Sequence, residues 1–436
     1  MLHPLDDNKP GSIMTVKHTI RAAAVAAAAI VGLTSAASAQ LASYHYDGDL
    51  RLSPETGRMA ADWTLTVLDD ERTEVTLFLN AAFGEAEISG ASVQTATSTL
   101  VDGSNGRMRS YEVALGPAAD GQVRELRIRY AGALFPESPA TPINTLNSRK
   151  VEFTVDSFWL PFDAGFDALM IAELDVWLPG DWAGIAMQSI ERVPGGFEVI
   201  QETPALDLAF TLMSDFQRHA ALGYAIYDTR VPAGANIDAV VDALEHCTAY
   251  LNELAADAGP LPDASIVVTS RNEGGYSRGT LIALTDIADS EPPTLIQFIC
   301  HELGHYWSHG NAMTVENWLN ESFADHIANM GMREALGEAA FEARMASYRR
   351  QVDGAATALP PVWTPQMTER PPYLVAYRKG PLALARAEAL AGRETFARFM
   401  QSVMRERVTT TPQMLDLFEV AAGAQARSEF EAILAE

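Results

Sequence analysis

The sequence predicts an α+β protein of two domains, in which an N-terminal antiparallel β-sandwich is followed by a mostly α-helical domain. The chain has 436 residues, which is too long for one ordinary hydrophobic core. Apolar and polar residues alternate up to about Phe210, and from about Ser214 onward apolar residues recur at helical spacing. We therefore expect one domain at residues 40–214 and a second at residues 215–436.

The composition is typical of a folded protein, with 48% hydrophobic and 20% charged residues. The formal net charge is -26 at pH 7. Because an acidic chain repels phosphates and anionic lipid headgroups, nucleic acid and anionic membranes are poor candidates as partners.

The first 39 residues have the pattern of a secretory signal peptide. Lys17 and Arg21 precede an apolar run at residues 22–33, and Ala37-Ser38-Ala39 supplies the small residues of a cleavage site. The run is too short to span a bilayer. We expect an exported protein, periplasmic or extracellular, with no stable membrane insertion after the signal is cleaved.

Short, half-buried strands are expected throughout the first domain. Trp63, Leu65 and Val67 alternate with polar residues, and turn signals such as Asp102-Gly103 and Asn105-Gly106 separate the runs. No catalytic cluster is evident in this part of the sequence. The domain is therefore interpreted either as a substrate-flanking or partner-binding module or as a scaffold.

The second domain is expected to be mainly helical. The pattern predicts a helix at residues 237–256, strands at residues 266–269 and 281–284, and a further helix that Thr294 caps and that continues to His305.

Only two cysteines, Cys247 and Cys300, are present, and two do not make a disulfide framework. They could pair if they meet in space, and an exported compartment would permit it. We favour unpaired cysteines that pack as small hydrophobic residues, since isolated cysteines on apolar faces commonly do so.

The sequence HELGH at residues 301–305 predicts a metal site. On a helix His301 and His305 lie one turn apart on one face, so both imidazoles can bind one ion, and zinc accepts neutral imidazole readily. Glu302 projects beside that face, where it can deprotonate a metal-activated water instead of binding the metal. Alone the motif is a moderate signal, because two histidines on a helix also occur by chance.

A second segment, WLNESFAD at residues 318–325, supplies a third ligand candidate. Three protein ligands leave one position of a catalytic zinc open for water, and Glu321 provides the third. Asp325 lies one helical turn later, where it can accept a hydrogen bond from the far nitrogen of a ligand histidine, or it is a helix-surface charge. His309 and His326 are less suited as ligands.

Three motifs in this order, HELGHYW, WLNESFAD and AYRKG, resemble those of the membrane alanyl aminopeptidase family of gluzincin zinc metallopeptidases. The resemblance covers about residues 260–436 and implies a thermolysin-like catalytic domain. It also implies a short, bacterial-type member that lacks the C-terminal helical repeat domain of many relatives. The β-sandwich agrees with the family's first domain by architecture alone. The connection to Glu321 is slightly shorter than is usual in the family, and we expect ligation to survive this.

The resemblance assigns a role to Tyr377. In the family, the tyrosine of a Tyr-x-Lys-Gly motif donates its phenol to the oxyanion of the tetrahedral intermediate, and here that motif is Tyr377-Arg378-Lys379-Gly380. Tyr373, four residues earlier, is the competing candidate. Only Tyr377 directly precedes the Arg-Lys-Gly sequence, and we favour it.

The substrate-binding strand departs from the family pattern. The family's Gly-x-Met-Glu-Asn sequence carries a glutamate that holds the free amine of the peptide. The corresponding substrate-binding residues here are Gly274, Gly275 and Tyr276, followed by Ser277 and Arg278. Ser277 stands where the glutamate belongs, and the nearby carboxylate is Glu273, before the glycines. Whether Glu273 replaces the amine anchor stays open.

These observations predict an exported zinc-dependent peptidase with one Zn²⁺ per chain and a peptide as substrate. Glu302 would act as general base and Tyr377 as oxyanion donor, in an enzyme that is aminopeptidase-like but has an altered amine anchor. The alternative is a catalytically weak or inactive binding or scaffold protein with the same fold. The sequence leaves open exopeptidase or endopeptidase action and the oligomeric state.

Overall fold

A computed structural model of the chain describes residues 41–69, 71–117, 123–134, 143–271, 274–285, 287–312 and 314–436. The predicted signal segment lies outside these residues. The first half of the described chain is built from β-strands. They are β1 (Tyr44–Ser53), β2 (Arg58–Val67), β3 (Glu74–Asn80), β4 (Glu87–Ser89), β5 (Val93–Leu100), β6 (Met108–Leu115), β7 (Arg124–Ala133), β8 (Thr145–Leu146), β9 (Lys150–Phe153), β10 (Phe162–Asp163), β11 (Met170–Trp177), β12 (Ala183–Ala186), β13 (Ser189–Val193), β14 (Gly196–Ala205) and β15 (Phe210–Met213).

These strands form three sheets, ordered β13-β14-β11-β1-β2-β7-β4, β10-β3-β6-β5 and β12-β15-β9-β8. Their pairs are antiparallel with one difference from the prediction: β1 and β11 run parallel, Tyr44 opposite Met170. The predicted alternation is confirmed, since Trp63, Leu65 and Val67 are buried between half-buried neighbours. Residues facing inward from these sheets form one core that extends from Tyr44 to Leu212.

The second half begins with a five-stranded sheet, ordered β16-β17-β18-β20-β19, and continues with helices. Its strands are β16 (Gln217–Ala221), β17 (Tyr224–Asp228), β18 (Ser265–Val268), β19 (Tyr276–Arg278) and β20 (Leu281–Leu284). Its helices are α1 (Ile237–Ala255), α2 (Pro292–Gly304), α3 (Asn317–Leu336), α4 (Glu338–Asp353), α5 (Gly380–Ala391), α6 (Arg393–Glu406), α7 (Thr411–Ala422) and α8 (Ala424–Leu434). Strand β19 pairs only with β20 among the described residues and is an edge of this sheet.

Two large hydrophobic cores distinguish the two domains. The second core extends from Ala221 to Leu434 and contains residues of the five-stranded sheet and of the helices. A smaller cluster, which includes Met213 from β15 and Tyr276 from β19, joins the domains. The predicted α+β class with a β-rich first domain is thereby confirmed. The expected boundary after residue 214 falls between β15 and β16 and stays a prediction.

Helix α2 begins three residues earlier than predicted. Pro292 is its first residue and Glu291 its N-cap, so Thr294 lies inside the first turn and does not cap it. Proline suits this position because the first helical amide has no partner within the helix. The strand predicted at residues 266–269 is found one residue earlier, at Ser265–Val268.

The cysteines form a disulfide, so the expectation of unpaired cysteines was wrong. Cys247 on α1 and Cys300 on α2 have Cα atoms 5.1 Å apart and are joined by an S–S bond. Both are fully buried, as expected for small apolar residues. Their pairing depends on the packing of α1 against α2, which local sequence does not report.

Among the helices of the described residues, none combines the length and the apolar character that a membrane span requires.

Candidate metal centre and active site

Helix α2 carries the two candidate histidine ligands at its C-terminal end. His301 lies in the last turn of the helix, and His305 begins the short 3₁₀ turn that follows. Their spacing of four residues brings both rings to one side, with the Nε2 atoms 3.1 Å apart. Helical periodicity alone accounts for this pairing.

Helix α3 brings Glu321 to the same point. Its Oε2 atom lies 3.6 Å from Nε2 of His301 and 3.6 Å from Nε2 of His305. In the described residues, these three side chains make the one group whose ligand atoms could hold a metal ion. Two nitrogens and an oxygen around a tetrahedral zinc, at bonds of about 2.0 to 2.1 Å, stand about 3.3 Å apart. The three observed separations fit such an ion.

One proposed ligand atom of this cluster has no hydrogen bond that would compete with a metal. Oε2 of Glu321 is buried and receives no hydrogen bond. Burial opposes ionisation of Glu321, but the adjacent imidazoles of His301 and His305 outweigh it and hold the pKa of this carboxyl at about 2. The cluster therefore offers a charged carboxylate to a cation at neutral pH.

Glu302 lies beside the ligand histidine on α2 and is 6% exposed. Burial disfavours its charge, and with Glu321 nearby this raises the pKa of the carboxyl to about 7, although His301 and Arg278 act in the opposite direction. A carboxyl tuned in this way suits the transfer of protons near neutral pH. Glu302 is thus not one of the three ligand candidates, but it lies close enough for the charges of His301 and Glu321 to change its pKa.

Asp325 lies one turn beyond Glu321 on α3 and is buried behind His301. Its Oδ1 is 3.9 Å from Nδ1 of His301, which is close but longer than a hydrogen bond. The carboxylate accepts hydrogen bonds from Gln297 (2.7 Å) and Tyr348 (3.1 Å) on Oδ1, and from Asn329 (2.8 Å) on Oδ2. It is therefore an anchored carboxylate and not the helix-surface charge of the alternative interpretation.

Tyr377 lies in a π-helical turn, Val375–Lys379, just before α5. Ser322, next to Glu321 on α3, donates a hydrogen bond to the carbonyl of Ala376 at 2.5 Å and so ties this turn to the ligand helix. A Cβ at Gly380 would clash with Oγ of Ser322, which explains the glycine of the motif. Burial raises the pKa of the Tyr377 phenol, and the nearby carboxylate of Glu321 raises it further.

The competing tyrosine lies farther from the metal cluster. Tyr373 is 58% exposed, and its ring stacks on that of Tyr377 with centroids 4.7 Å apart. The Tyr377 ring in turn stacks beside His301, with centroids 5.9 Å apart. Tyr377 is thus the inner member of the pair and Tyr373 the outer one.

The glycines before β19 allow this edge strand to lie against α2. A Cβ at Gly275 would clash with the ring of Phe298, one helical turn before Glu302. The carbonyl of Gly274 accepts hydrogen bonds from Nε (3.1 Å) and Nη2 (2.8 Å) of Arg271. Packing beside the candidate site therefore requires Gly275, and the left-handed backbone at Gly274, with φ of 67°, favours glycine there.

The side chain of Tyr276 points into the protein, and the role of Tyr276 in substrate binding stays a prediction. Tyr276 is buried, and its hydroxyl donates to Oε1 of Glu152 at 3.0 Å. Side chains alternate along a strand, so the inward turn of Tyr276 leaves Ser277 on the other face. A substrate can contact Tyr276 only through its backbone.

Arg278 is held by carboxylates of the first domain. Its Nε donates to Asp207 at 3.1 Å, and its Nη2 lies 3.6 Å from Asp156. Ser277 brings no charge to the position at which the family has a glutamate. The alternative anchor, Glu273, lies outside the described residues.

The histidines judged less suited as ligands lie outside the metal cluster. His309 accepts a hydrogen bond from Nε of Arg407 at 3.3 Å. His326 is fully buried, with its Nε2 4.0 Å from Oε2 of Glu388.

Two groups of residues near the site were missed by the sequence analysis. Glu152 of β9 is fully buried and pairs with Lys150 (2.7 Å) and Arg271 (2.8 Å), so it links the first domain to the segment before β19. Arg378, inside the Tyr-x-Lys-Gly motif, contacts the aromatic rings around Tyr377. Its place in the motif was a usable signal, whereas no local pattern marks Glu152.

A histidine pair on one helix and a glutamate from the next, in a domain of a small sheet and helices, is the arrangement expected of the gluzincin class of metallopeptidases. Residues 278–433 match the family described as the peptidase family M1 domain. The resemblance indicated by the motifs is thereby confirmed, and this part of the chain is a zinc metallopeptidase domain of that family.

Solved structures share the fold over most of the chain. An M1 zinc metallopeptidase from Deinococcus radiodurans is 19% identical, with a TM-score of 0.62 over 89% of this chain and 93% of that chain. A two-domain M1 zinc metallopeptidase mutant bound to L-arginine is 18% identical, with a TM-score of 0.64 over 90% and 93%. Leukotriene A4 hydrolase from Saccharomyces cerevisiae is 16% identical, with a TM-score of 0.65 over 90% and 66%. No curated protein matches the sequence.

Proposed function

We propose that this protein is an exported peptidase that hydrolyses peptide bonds with one zinc ion per chain. The observation that carries the proposal is the convergence of His301, His305 and Glu321 within 4.8 Å of one another, beside a buried Glu302. A zinc ion held there would supply Lewis-acid activation of a water and of the scissile carbonyl.

Each remaining chemical task has a candidate side chain. Glu302, buried beside the ligand candidate His301, accepts the proton of the attacking water and returns it to the leaving amine. Tyr377 donates its phenolic proton in a hydrogen bond to the developing oxyanion. Its position between His301 and Tyr373 supports this role, because the donor is fixed before the substrate arrives. Asp325 lies beside Nδ1 of His301 and helps to orient that imidazole.

The substrate is proposed to be a peptide. One of the structural neighbours, a mutant of the Deinococcus radiodurans enzyme, is described as bound to a Tyr-Ser-Ala substrate. In this chain the strand that would lie beside a peptide carries Ser277 instead of a carboxylate, and next to it a cation, Arg278. The amine anchor is therefore altered, and we propose that a free N-terminus is not required for cleavage.

Export is proposed from the signal-like residues 1–39. The disulfide between Cys247 and Cys300 supports it, because such bonds persist in oxidising compartments such as the bacterial periplasm or the extracellular space. Periplasmic or extracellular localisation follows from the same argument.

The decisive experiment is digestion of a peptide library by the purified protein, with and without a metal chelator, read by mass spectrometry. Cleavage that chelator abolishes and added zinc restores supports the proposal. Retention of zinc without cleavage of any peptide would favour the alternative, a binding or scaffold protein. The positions of the cleaved bonds distinguish exopeptidase from endopeptidase action.

A further inference from the structure

Arg378 makes three directed hydrogen bonds around the candidate oxyanion donor. Its Nη1 donates to the backbone carbonyl of Tyr377 at 2.7 Å, and its Nη2 donates to the hydroxyl of Tyr373 at 2.8 Å. Its Nε donates to Oε1 of Gln351 on α4 at 3.0 Å. The guanidinium thus connects the π-helical turn with the neighbouring helix.

The same guanidinium contacts two tyrosine rings. Its central carbon lies 4.6 Å from the ring centroid of Tyr348 and 5.2 Å from that of Tyr373. Cations within about 6 Å of a ring centroid are attracted by the ring. Tyr348 donates its hydroxyl to Asp325, the carboxylate behind His301. Arg378 therefore contacts Tyr373, which stacks on the Tyr377 ring, and Tyr348, which donates a hydrogen bond to the carboxylate behind His301.

Tyr377 depends on these neighbours for its orientation. Its ring is stacked between Tyr373 and His301, inclined by 25° to each. The turn that carries it is π-helical, so it is wider than an α-helical turn. Without Tyr373 held in place, one face of the Tyr377 ring would lose its packing partner.

We infer that Arg378 is a positioning residue that holds Tyr377 in the orientation needed to donate to the oxyanion. The inference rests on the proposed function, and specifically on the role of Tyr377. Arg378 acts by clamping the Tyr377 backbone and by holding the Tyr373 ring against the Tyr377 ring. A displacement of about 1 Å of a catalytic group can cost a hundredfold in rate, so such a clamp has a measurable effect.

This arrangement depends on the planar guanidinium group of arginine, which donates hydrogen bonds in fixed directions. Lysine would keep the positive charge near Asp325, but it cannot donate in three fixed directions while it lies between two rings. Arg378→Lys therefore separates positioning from simple charge. If charge alone mattered, the lysine variant would behave as the wild type does.

The test is a double-mutant cycle between Arg378→Lys and Tyr377→Phe. Arg378→Lys is expected to lower kcat by roughly tenfold or more, with little change in KM, zinc content or unfolding temperature. In the Tyr377→Phe background the same change should cause no further loss, because the group it positions is already absent. Arg398→Lys, at an exposed arginine paired with Glu394, is the matched control and should leave kcat unchanged.

A wild-type kcat in Arg378→Lys would overturn the inference, as would an equal loss in both backgrounds. A loss that tracks a fall in zinc content or in folded protein would overturn it as well. Tyr373→Phe, which removes the hydroxyl that Nη2 contacts but keeps the ring, should cause a smaller loss of kcat that is not additive with Arg378→Lys.

A readout independent of turnover separates this inference from the proposed function. In protein with isotopically labelled tyrosine, the ring signal of Tyr377 is identified by its absence from Tyr377→Phe. Arg378→Lys should increase the mobility of that ring, and Arg398→Lys should not. An unchanged Tyr377 signal overturns the inference even if no peptide is cleaved, whereas a mobile ring in a protein without activity contradicts only the proposed function.

Discussion

Cys300 is bonded to Cys247, and this disulfide joins α1 to α2 at the residue directly before the ligand candidate His301. The helix that carries both histidines is thus covalently attached to the helix packed beside it. The loop closed by this bond is long, and long loops lose the most entropy in the unfolded state when they are closed.

Removal of the disulfide should therefore destabilise the protein. For a sequence separation of 53 residues, the entropy of loop closure corresponds to about 4 kcal/mol. The double variant Cys247→Ala with Cys300→Ala should unfold at a clearly lower denaturant concentration than the wild type. The same shift should follow reduction of the wild type, and reductant should have no effect on the variant. Equal midpoints for all samples would contradict the prediction.

Loss of a ligand should release the metal. His305→Ala and Glu321→Ala should each lose most of the zinc that the wild type retains through dialysis, because two ligands hold the ion far less tightly than three. Zinc is measured per chain by atomic spectroscopy. His309→Ala is the matched control, since its hydrogen bond is to Arg407 outside the cluster. Full zinc content in both ligand variants would disprove the assignment.

Substitutions of Glu302 and Tyr377 should abolish or weaken catalysis without loss of the metal. Glu302→Gln should retain zinc and fold while it loses nearly all turnover, because the change removes a base and no ligand. Tyr377→Phe should retain zinc and lose roughly a hundredfold in kcat, as expected for one oxyanion donor. The assays are kcat on a cleaved peptide and zinc per chain. An active Tyr377→Phe together with an inactive Tyr373→Phe would reverse the tyrosine assignment.

Blocked peptides should be cleaved. Because Ser277 is uncharged, the cleft lacks at this position the carboxylate that a buried ammonium needs. We expect weak activity on single amino-acid arylamides compared with longer peptides, and similar cleavage of one peptide with a free and with an acetylated N-terminus. If acetylation abolishes cleavage and Glu273→Gln does the same to the free peptide, the anchor has moved to Glu273 and the enzyme is an ordinary aminopeptidase.

The buried carboxylate of Glu152 should stabilise the fold in a pH-dependent way. Burial opposes its charge, but Lys150 and Arg271 outweigh this and hold its pKa below the ordinary value of 4.5. Glu152→Gln leaves two cations without their partner and should cost about 3 to 5 kcal/mol of unfolding free energy at neutral pH.

The sign of the pH dependence follows from the lowered pKa. Stability from Glu152 is present above pH 4.5 and is lost as pH falls through the pKa of the folded state. The difference in unfolding free energy between wild type and Glu152→Gln should therefore shrink in acid. Glu55→Gln, at an exposed glutamate, serves as control. A difference that is constant from pH 7 to pH 3 would refute the ion-pair explanation.

Features that depend on spacing along one element could be predicted from the sequence. The convergence of His301 and His305 follows from the period of a helix, and the alternation of Trp63, Leu65 and Val67 follows from the period of a strand. The start of α2 was predicted less well, because Thr294 and Pro292 are both acceptable near a helix N-terminus.

Features that depend on which elements pack together were decided only by the tertiary structure. The bond between Cys247 and Cys300, the ion pair of Glu152 with Arg271 at a separation of 119 residues, and the inward turn of Tyr276 each join segments that no local pattern relates. The contacts of Arg378 with Tyr348 are of the same kind. By itself the sequence determined the metal ligand candidates and the class of fold, since these follow from local periodicity and motif. The surroundings of that site were decided by tertiary packing, because side chains from distant segments meet only once the sheets and helices have assembled.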